Sequence, residues 1–380
     1  MILLPHTTLQ ITIVGLSFVG GLVIAGILVA LPNILPDVPN ARSSHSRVVP
    51  RGGGLGFILP FLICLLVLAV TENRLEDRGL QALFLGAVFL ALLGFVDDAF
   101  SLPAAPRLFF QFIAALALCV YGAPDSLRVL GIVTVTGWPV HILQVVWILA
   151  CVNLYNFMDG IDGLAAGQAV WIAAVLGSLL YLDSQAAATP LDLRDPGSLK
   201  LASLVFFCLS AGATGFLMWN LPPARVFMGD TGSYFLGFVF GFAALIFPEQ
   251  TSVGRPEPVL TWTWNSAAPH LTDFTAVFVL LTPLFGDAAL TLLARLRGGR
   301  HLFQAHREHM YQLLFRTGWT AARVDLLFLG AGILVLIPIV LKYLGLTGSW
   351  VFLSYLGLLA ILVPIYVRAK SVLRNRLGEK

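Results

Sequence analysis

Eleven apolar stretches separated by polar connections dominate the chain. A helix needs roughly 20 consecutive apolar residues to cross the hydrocarbon core of a bilayer, and most of these stretches approach that length. The pattern predicts spans at residues 9–31, 53–70, 79–96, 107–121, 139–155, 161–182, 199–219, 232–247, 273–294, 322–343 and 348–367. The segment 127–137 is rich in β-branched residues and is interrupted by Gly131 and Gly137, which favours a small hairpin at the membrane surface.

The composition agrees with this pattern. Hydrophobic residues make up 58% of the 380 residues, charged residues only 11%, and the mean hydropathy is +0.88. Soluble domains contain about 25% charged residues, so a soluble globule, a disordered chain and a coiled coil are all excluded. The net charge of +3 is too small to indicate a nucleic-acid partner. We therefore expect an all-α integral membrane protein with about 11 transmembrane helices.

The distribution of Lys and Arg predicts the orientation of these spans. If the N-terminus lies outside, sixteen of the 23 Lys and Arg residues fall on the inner side and seven on the outer side. Inner loops carry an excess of basic residues in membrane proteins. We expect an outer N-terminus, a membrane domain over residues 1–367 and a basic cytoplasmic tail over residues 368–380.

The unusual polar sequences all fall on the predicted inner side. They are RSSHSRVVPRGGG (42–54), GFVDDAFSL (94–102), NLYNFMDGIDGL (153–164), NLPPARVFMGDTGS (220–233) and RLRGGRHLFQAHREHMYQ (295–312). The outer loops show no comparable concentration of Asn, Asp, Gly and His. This asymmetry predicts a functional site at the inner surface, built from loops.

Asp97 and Asp98 end the third apolar stretch as an adjacent pair. Two neighbouring carboxylates are costly there, because like charges oppose joint ionisation and the bilayer disfavours both. A pair that only marks the end of a helix is the plainer interpretation. We favour a functional one, in which the pair supplies two oxygen ligands for Mg²⁺, or one ligand and one base.

Asn153, Asn156, Asp159 and Asp162 follow one another at a spacing of three. Helix capping would explain part of this pattern, because Asp159 is a good N-cap for the sixth span. If the fifth span continues far enough, however, both amides line one helical face. Four polar side chains at one membrane edge exceed what capping requires, which favours a functional role.

Asp230 lies between Gly229 and Gly232 at the start of the eighth span. It can cap that helix, while the glycine-rich backbone would let a phosphate or a metal ion approach. Beside the other carboxylates, Asp230 is a candidate Mg²⁺ ligand.

His306 and His309 lie in an arginine-rich loop. The loop either faces anionic lipid headgroups or binds a phosphate or pyrophosphate, whereas zinc is disfavoured because the nearby ligands are carboxylates. Asp287 lies inside the ninth span, where we expect a structural polar contact with Arg295, two turns further along.

Taken together, these motifs resemble the polyprenyl-phosphate N-acetylhexosamine-1-phosphate transferase family. This family includes the initiating enzymes of O-antigen and teichoic acid synthesis and the phospho-N-acetylmuramoyl-pentapeptide translocase of peptidoglycan. The resemblance runs from DVPNARSSH (37–45) to HREHMYQLL (306–314), with the motifs in family order.

The resemblance implies an enzyme of the bacterial inner membrane whose active site faces the cytoplasm. It implies transfer of a sugar-1-phosphate from a UDP-amino-sugar donor to undecaprenyl phosphate, with release of UMP. The implied cofactor is Mg²⁺, for which Mn²⁺ can substitute, and a homodimer fits the family. Nucleic acid is not among the implied partners.

The family's functional positions can be carried over residue by residue. The catalytic set is Asp97, Asp98, His306 and His309, the metal-binding set is Asp230 with Asn153, and the substrate-binding set is Asn156, Asp159, Asp162, Phe227, Arg307, His45 and Arg51. Phe227 is expected to stack near the uracil.

Two departures bear on the donor. Ser101 replaces a lysine of the peptidoglycan branch, and Arg307 and Glu308 stand where relatives often carry a further histidine. Both favour an O-antigen-type or capsule-type initiating transferase over the muramoyl-pentapeptide enzyme, which remains an alternative. An ion-coupled transporter is the alternative of another class, although such sites lie near the midplane on repeated halves.

Overall fold

A computed structural model describes residues 6–37, 48–129, 133–186, 196–246, 260–262, 274–300, 307–344 and 348–378. Within these ranges, ten helices are long and apolar enough to cross a membrane. The remaining predicted stretch, 53–70, forms a shorter apolar helix, Leu55–Thr71. The expectation of an all-α integral membrane protein is therefore confirmed.

The helices follow the predicted stretches closely. They are α1 (His6–Ala30), α2 (Leu55–Thr71), α3 (Arg78–Phe100), α4 (Ala104–Gly122), α5 (Trp138–Met158), α6 (Leu164–Ala186), α7 (Pro196–Asn220), α8 (Gly229–Ile246), α9 (Phe274–Arg297), α10 (Met310–Arg316), α11 (Ala321–Leu334), α12 (Leu336–Tyr343) and α13 (Gly348–Arg376).

Three features differ from the predicted spans. The tenth stretch is divided at Val335 into α11 and α12, and the short helix α10 precedes it. Helix α13 continues to Arg376, through most of the segment 368–380 that the sequence assigned to a separate tail. Hydropathy averages over a window, so it detects neither a one-residue break nor a helix that continues past its apolar segment.

The strands are short and lie between the helices. β1 (Pro36–Asp37) pairs with β2 (Val49–Pro50), and β3 (Ser126–Val129) pairs with β4 (Val133–Thr136), both antiparallel. The hairpin predicted at 127–137 is confirmed, although its residues 130–132 lie outside the described ranges. A third strand, β5 (Leu260–Trp262), extends this sheet and was not predicted.

Helix α8 is the most buried of the ten long helices. Small residues let its backbone approach its neighbours closely, as is common between membrane helices. A side chain added at Gly94 of α3 would lie 2.3 Å from the Asp230 carbonyl oxygen, and one added at Gly237 would lie 2.6 Å from the Cys151 carbonyl oxygen of α5. Helix α8 is thereby packed closely between α3 and α5.

Candidate active site

Asp98 fastens the end of α3 to the start of α8. Its Oδ1 accepts a hydrogen bond from the Asp230 backbone N–H (2.9 Å), and its Oδ2 accepts from the backbone N–H (3.0 Å) and the hydroxyl (2.6 Å) of Thr231. The first N–H groups of a helix have no partner within it, and a carboxylate there also complements the helix dipole. Gly229, at φ +74°, lies so close that a Cβ would be 2.4 Å from Asp98 Oδ2. This junction therefore depends on a glycine.

Asp97, the other member of the pair, is 3% exposed and is held by three donors. The Leu102 N–H donates to its Oδ1 (2.8 Å), while the Tyr234 hydroxyl (2.6 Å) and Arg107 Nη1 (3.0 Å) both donate to its Oδ2. Arg107 and Tyr234 were missed by the sequence analysis. Tyr234 follows Asp230 by one helical turn, so a polar-tipped residue at that spacing was the available signal.

Asn156 joins α5 to the same place. Its Nδ2 donates to Asp230 Oδ1 (2.5 Å) and to Ser233 Oγ (2.9 Å). The carboxyl of Asp230 also lies close to that of Asp97. Asp97 and Asn156, predicted from two separate motifs, therefore both lie beside Asp230, predicted from a third.

Asn153 points elsewhere. Its Nδ2 donates to Gln111 Oε1 of α4 and to the Leu149 carbonyl oxygen, both at 2.8 Å. Of the two predicted amides, Asn156 is the one bonded to Asp230. The role of Asn153 as a metal ligand stays a prediction.

Asp159 ends α5, where its N–H donates to the Asn156 carbonyl oxygen (3.1 Å), and α6 begins only at Leu164. It is therefore not the N-cap of the sixth span. Burial, together with the negative charge of Asp98, raises the pKa of Asp159 to about 7, against the opposing effect of Arg51. Crowded carboxylates of this kind favour the binding of a proton or a cation.

Asp162 connects this loop to the one before α8. Its Oδ2 accepts from the Ala224 N–H (2.9 Å), and the neighbouring Gly163 N–H donates to Asn220 Oδ1 (3.1 Å). In the described structure, Asp162 therefore holds two loops together, and its predicted substrate contact stays a prediction.

Arg51 and Phe227 lie on adjacent backbone segments. The Phe227 N–H donates to the Pro50 carbonyl oxygen and the Gly53 N–H to the Phe227 carbonyl oxygen, both at 2.9 Å. Arg51 pairs with Asp37 through Nη2 at 2.8 Å and also interacts electrostatically with Asp98 and Asp159. The segment around Arg51 thus brings positive charge to the acidic residues.

His309 belongs to a second polar cluster. It is 3% exposed, its Nδ1 lies 3.9 Å from Asp287 Oδ1, and its ring stacks on that of Tyr311 at 5.8 Å. The Tyr311 hydroxyl donates to the Phe157 carbonyl oxygen (2.9 Å) near the end of α5. This bond connects the histidine loop to the acidic residues.

Asp287 does not form the predicted contact with Arg295. It accepts from the Met310 N–H (2.8 Å) and the Tyr366 hydroxyl (2.6 Å), whereas Arg295 pairs with Glu308 (2.5 Å). The prediction of a structural contact with Arg295 is wrong in its partner, because α10 and α13, distant in sequence, supply the donors.

His45 and His306 lie outside the described residues. Arg307 is exposed, and its carbonyl oxygen accepts from Arg316 Nη1 (3.4 Å). The roles predicted for these three residues therefore stay predictions.

The residues present fit a magnesium ion that also binds phosphate. Among the described residues, no group of three or more His, Cys, Asp and Glu side chains forms a ready metal cage. Mg²⁺ typically uses one or two carboxylates and completes its shell with water and substrate phosphates. The proximity of the carboxyls of Asp97 and Asp230, with Asp98 and Asp159 nearby, provides hard oxygen donors with excess negative charge.

A bundle of membrane helices that gathers carboxylates, an amide and arginines at one end is typical of an integral membrane enzyme. Residues 80–248 match the model of the family described as glycosyl transferase family 4. The matched segment covers α3 to α8 and contains Asp97, Asp98, Asn156, Asp159 and Asp230. This part of the chain is similar to that family, and the resemblance deduced from the motifs is confirmed.

Curated relatives align over most of the chain. An undecaprenyl-phosphate alpha-N-acetylglucosaminyl 1-phosphate transferase of Escherichia coli O157:H7 is 27% identical over 87% of this chain and 83% of the relative. The protein of the same name from Yersinia pestis is 28% identical over 89% and 85%. A decaprenyl-phosphate N-acetylglucosaminephosphotransferase of Mycolicibacterium smegmatis is 28% identical over 78% and 72%.

Proposed function

We propose that this protein transfers an N-acetylhexosamine-1-phosphate from a UDP-sugar to undecaprenyl phosphate and releases UMP. The observation that carries the proposal is the convergence of Asp97, Asn156 and Asp230 beside Arg107 at one end of a membrane bundle. The names of the relatives support the same substrates. The reaction would begin a cell-surface polysaccharide of the O-antigen type.

In the proposed step, an oxygen of the lipid phosphate attacks the β-phosphorus of the UDP-sugar. A new phosphorus–oxygen bond forms, the bond from the β-phosphorus to the bridging oxygen breaks, and UMP leaves with that oxygen. Phosphoryl transfer needs mainly positioning and charge stabilisation. The carboxylate of Asp97 would position the lipid phosphate or accept its proton, and the guanidinium of Arg107 would bind phosphate oxygens.

Asn156 and the basic residues have supporting roles in this proposal. Asn156, already bonded to Asp230, would orient the donor, and Arg51 would attract its pyrophosphate. Phe227 would stack near the uracil. His309 with Arg307, and the predicted His306 and His45, would bind phosphates or the sugar.

We also propose Mg²⁺ as the cofactor, held by Asp230 with the help of neighbouring carboxylates. When bound, it would neutralise charge on the pyrophosphate and polarise the leaving group. A bacterial inner membrane with the site facing the cytoplasm is the location that agrees with the charge bias of the loops. A homodimer stays a prediction.

The test supplies purified protein with undecaprenyl phosphate and Mg²⁺ together with one UDP-sugar at a time. The donors are UDP-N-acetylglucosamine, UDP-N-acetylgalactosamine and UDP-N-acetylmuramoyl-pentapeptide, and the measurement is UMP release and the mass of the lipid product. We expect UMP only when the lipid phosphate is present, with one of the first two donors. Release with the third donor alone would establish the peptidoglycan alternative, and no release with any donor would contradict the proposal.

A further inference from the structure

We propose that Tyr234 is a positioning residue that holds the carboxylate of Asp97 when Arg107 turns to a bound phosphate. The inference rests on the proposed function, because it concerns the same site. It assigns a role to a side chain that does not itself touch the reacting groups.

The geometry places Tyr234 directly on Asp97. Tyr234 lies four residues after Asp230 on α8, so both side chains project from one face of the helix. The tyrosine is 1% exposed, and its hydroxyl donates to Asp97 Oδ2 at 2.6 Å. A hydrogen bond from a neutral donor to a carboxylate at this distance is short and strong.

Asp97 Oδ2 also accepts from Arg107, whose side chain is freer to move than the buried Tyr234. Arg107 Nη1 lies 3.0 Å from this oxygen and 3.3 Å from the Tyr234 hydroxyl, but the arginine side chain is 32% exposed. A phosphate that enters the site competes for this guanidinium, because arginine binds phosphate with two parallel hydrogen bonds. The buried Tyr234 hydroxyl cannot form such a pair of hydrogen bonds with the phosphate, and it stays bonded to Asp97.

Once the hydrogen bond from Arg107 to Asp97 is lost, Tyr234 is needed to keep the carboxylate in place. Without Tyr234, the carboxylate would keep the Leu102 N–H as its remaining described donor, at Oδ1. The carboxyl of Asp230, close to that of Asp97, would then repel it unless a cation lies between them. A buried carboxylate with an unpaired oxygen is unfavourable and would rotate away from its productive orientation.

The first test measures transfer in Tyr234→Phe, which removes the hydroxyl and keeps the ring. The matched control is Tyr355→Phe. Tyr355 is a 4% exposed tyrosine of α13 whose hydroxyl lies 2.8 Å from Thr282 Oγ1. We expect kcat to fall about tenfold in Tyr234→Phe, the size typical of a lost hydrogen bond to a charged group, with both KM values within about twofold of the wild type. Tyr355→Phe should match the wild type.

The second test does not depend on activity. Hydrogen exchange, followed by mass spectrometry, reports on the Leu102 N–H that donates to Asp97. With inorganic phosphate present to engage Arg107, we expect this amide to exchange severalfold faster in Tyr234→Phe than in the wild type or in Tyr355→Phe.

An unchanged kcat, a change confined to KM, or an unchanged exchange rate at Leu102 would overturn the proposal. If the wild type transfers no sugar from any donor, the proposed function fails and the exchange measurement alone decides the role of Tyr234.

Discussion

Asp98 of α3 and Asp287 of α9 make the same kind of junction in two regions of the molecule. Each accepts hydrogen bonds from backbone N–H groups at the start of another helix, α8 for Asp98 and α10 for Asp287. In both cases a carboxylate of one helix fixes the beginning of another. The local geometry alone does not distinguish the two regions.

The surrounding charges do distinguish them. Around Asp98 lie three further carboxylates, those of Asp97, Asp159 and Asp230, which face two arginines, Arg51 and Arg107. Near Asp287, the described residues include the carboxylate of Glu308 and the basic groups of Arg295, Arg300, Arg374 and Lys370.

The difference shows which ligand each region can attract. The first region has an excess of negative charge and is suited to a cation. The second has an excess of positive charge and is suited to an anion such as a phosphate. A nucleotide sugar with its metal ion carries both signs, and the Tyr311–Phe157 hydrogen bond brings the two regions together.

The largest effect should come from the acidic region. We expect Asp97→Asn to reduce transfer by about 100-fold or more. An amide whose oxygen accepts from Arg107 and Tyr234 turns its NH₂ group towards the Leu102 N–H, and the amide carries no charge for the reaction. UMP release measures the loss, and thermal unfolding should show that the variant is folded.

The matched control is Asp125→Asn, since the Asp125 side chain is 90% exposed and pairs with His141 away from the acidic region. It should keep full activity. If Asp97→Asn transferred the sugar at more than a tenth of the wild-type rate, the acidic region would not be the more important of the two for the reaction.

A smaller effect on transfer, with a clear effect on stability, is expected from Asp287→Asn. The amide loses one acceptor where Met310, Tyr311 and Tyr366 all donate, which costs about 1–3 kcal/mol of unfolding free energy. Transfer should fall by about tenfold or less, because the residue acts through the position of α10. Thermal unfolding and UMP release measure the two effects. A loss of activity equal to that of Asp97→Asn at unchanged stability would mean that Asp287 takes part in the reaction.

The smallest effect concerns pH. Burial by itself raises the pKa of Glu308, but Arg295, Arg300 and Arg374 outweigh it and hold the pKa below the usual 4.5. A carboxyl whose pKa is lowered on folding stabilises the protein above its unfolded pKa and loses this effect as the pH falls through the folded value.

Glu308→Gln should therefore be less stable than the wild type at pH 7 by about 1 kcal/mol, since the cluster is partly solvated. The difference should shrink as the pH falls below the usual carboxyl pKa of 4.5 and through the lowered pKa of Glu308. Unfolding temperatures of both proteins between pH 3 and pH 7 measure it, and a difference that stays constant over this range would contradict the assignment.

Much of the fold could be predicted because bilayer thickness dictates the length of an apolar segment. The same argument explains why Asp97, Asp98 and Asn156 were recognised: a polar residue at the edge of an apolar stretch is conspicuous. Their approach to Asp230 could be expected because alternate loops lie at the same membrane face.

Other parts of the site depend on which helices are neighbours, and hydropathy does not give this. Arg107 resembles any arginine at a helix start, and Tyr234 resembles any aromatic residue in an apolar helix. Their importance comes from Asp97, which is 137 residues from Tyr234 in sequence. The partner of Asp287 was mistaken for the same reason, since a residue two turns away was the nearest visible cation.

The junction between Asp98 and α8 also has a consequence for synthesis. The two bonded residues, Asp98 and Asp230, are 132 positions apart. A ribosome that adds about 5–20 residues per second delivers α8 on the order of 10 s after α3. During that interval Asp98 lacks the donors of Asp230 and Thr231, so water must solvate its carboxylate, which requires the end of the helix rather than the bilayer centre. The position of Asp97 and Asp98 at the membrane edge thus keeps both carboxylates accessible to water during synthesis, before the site of the finished enzyme has formed.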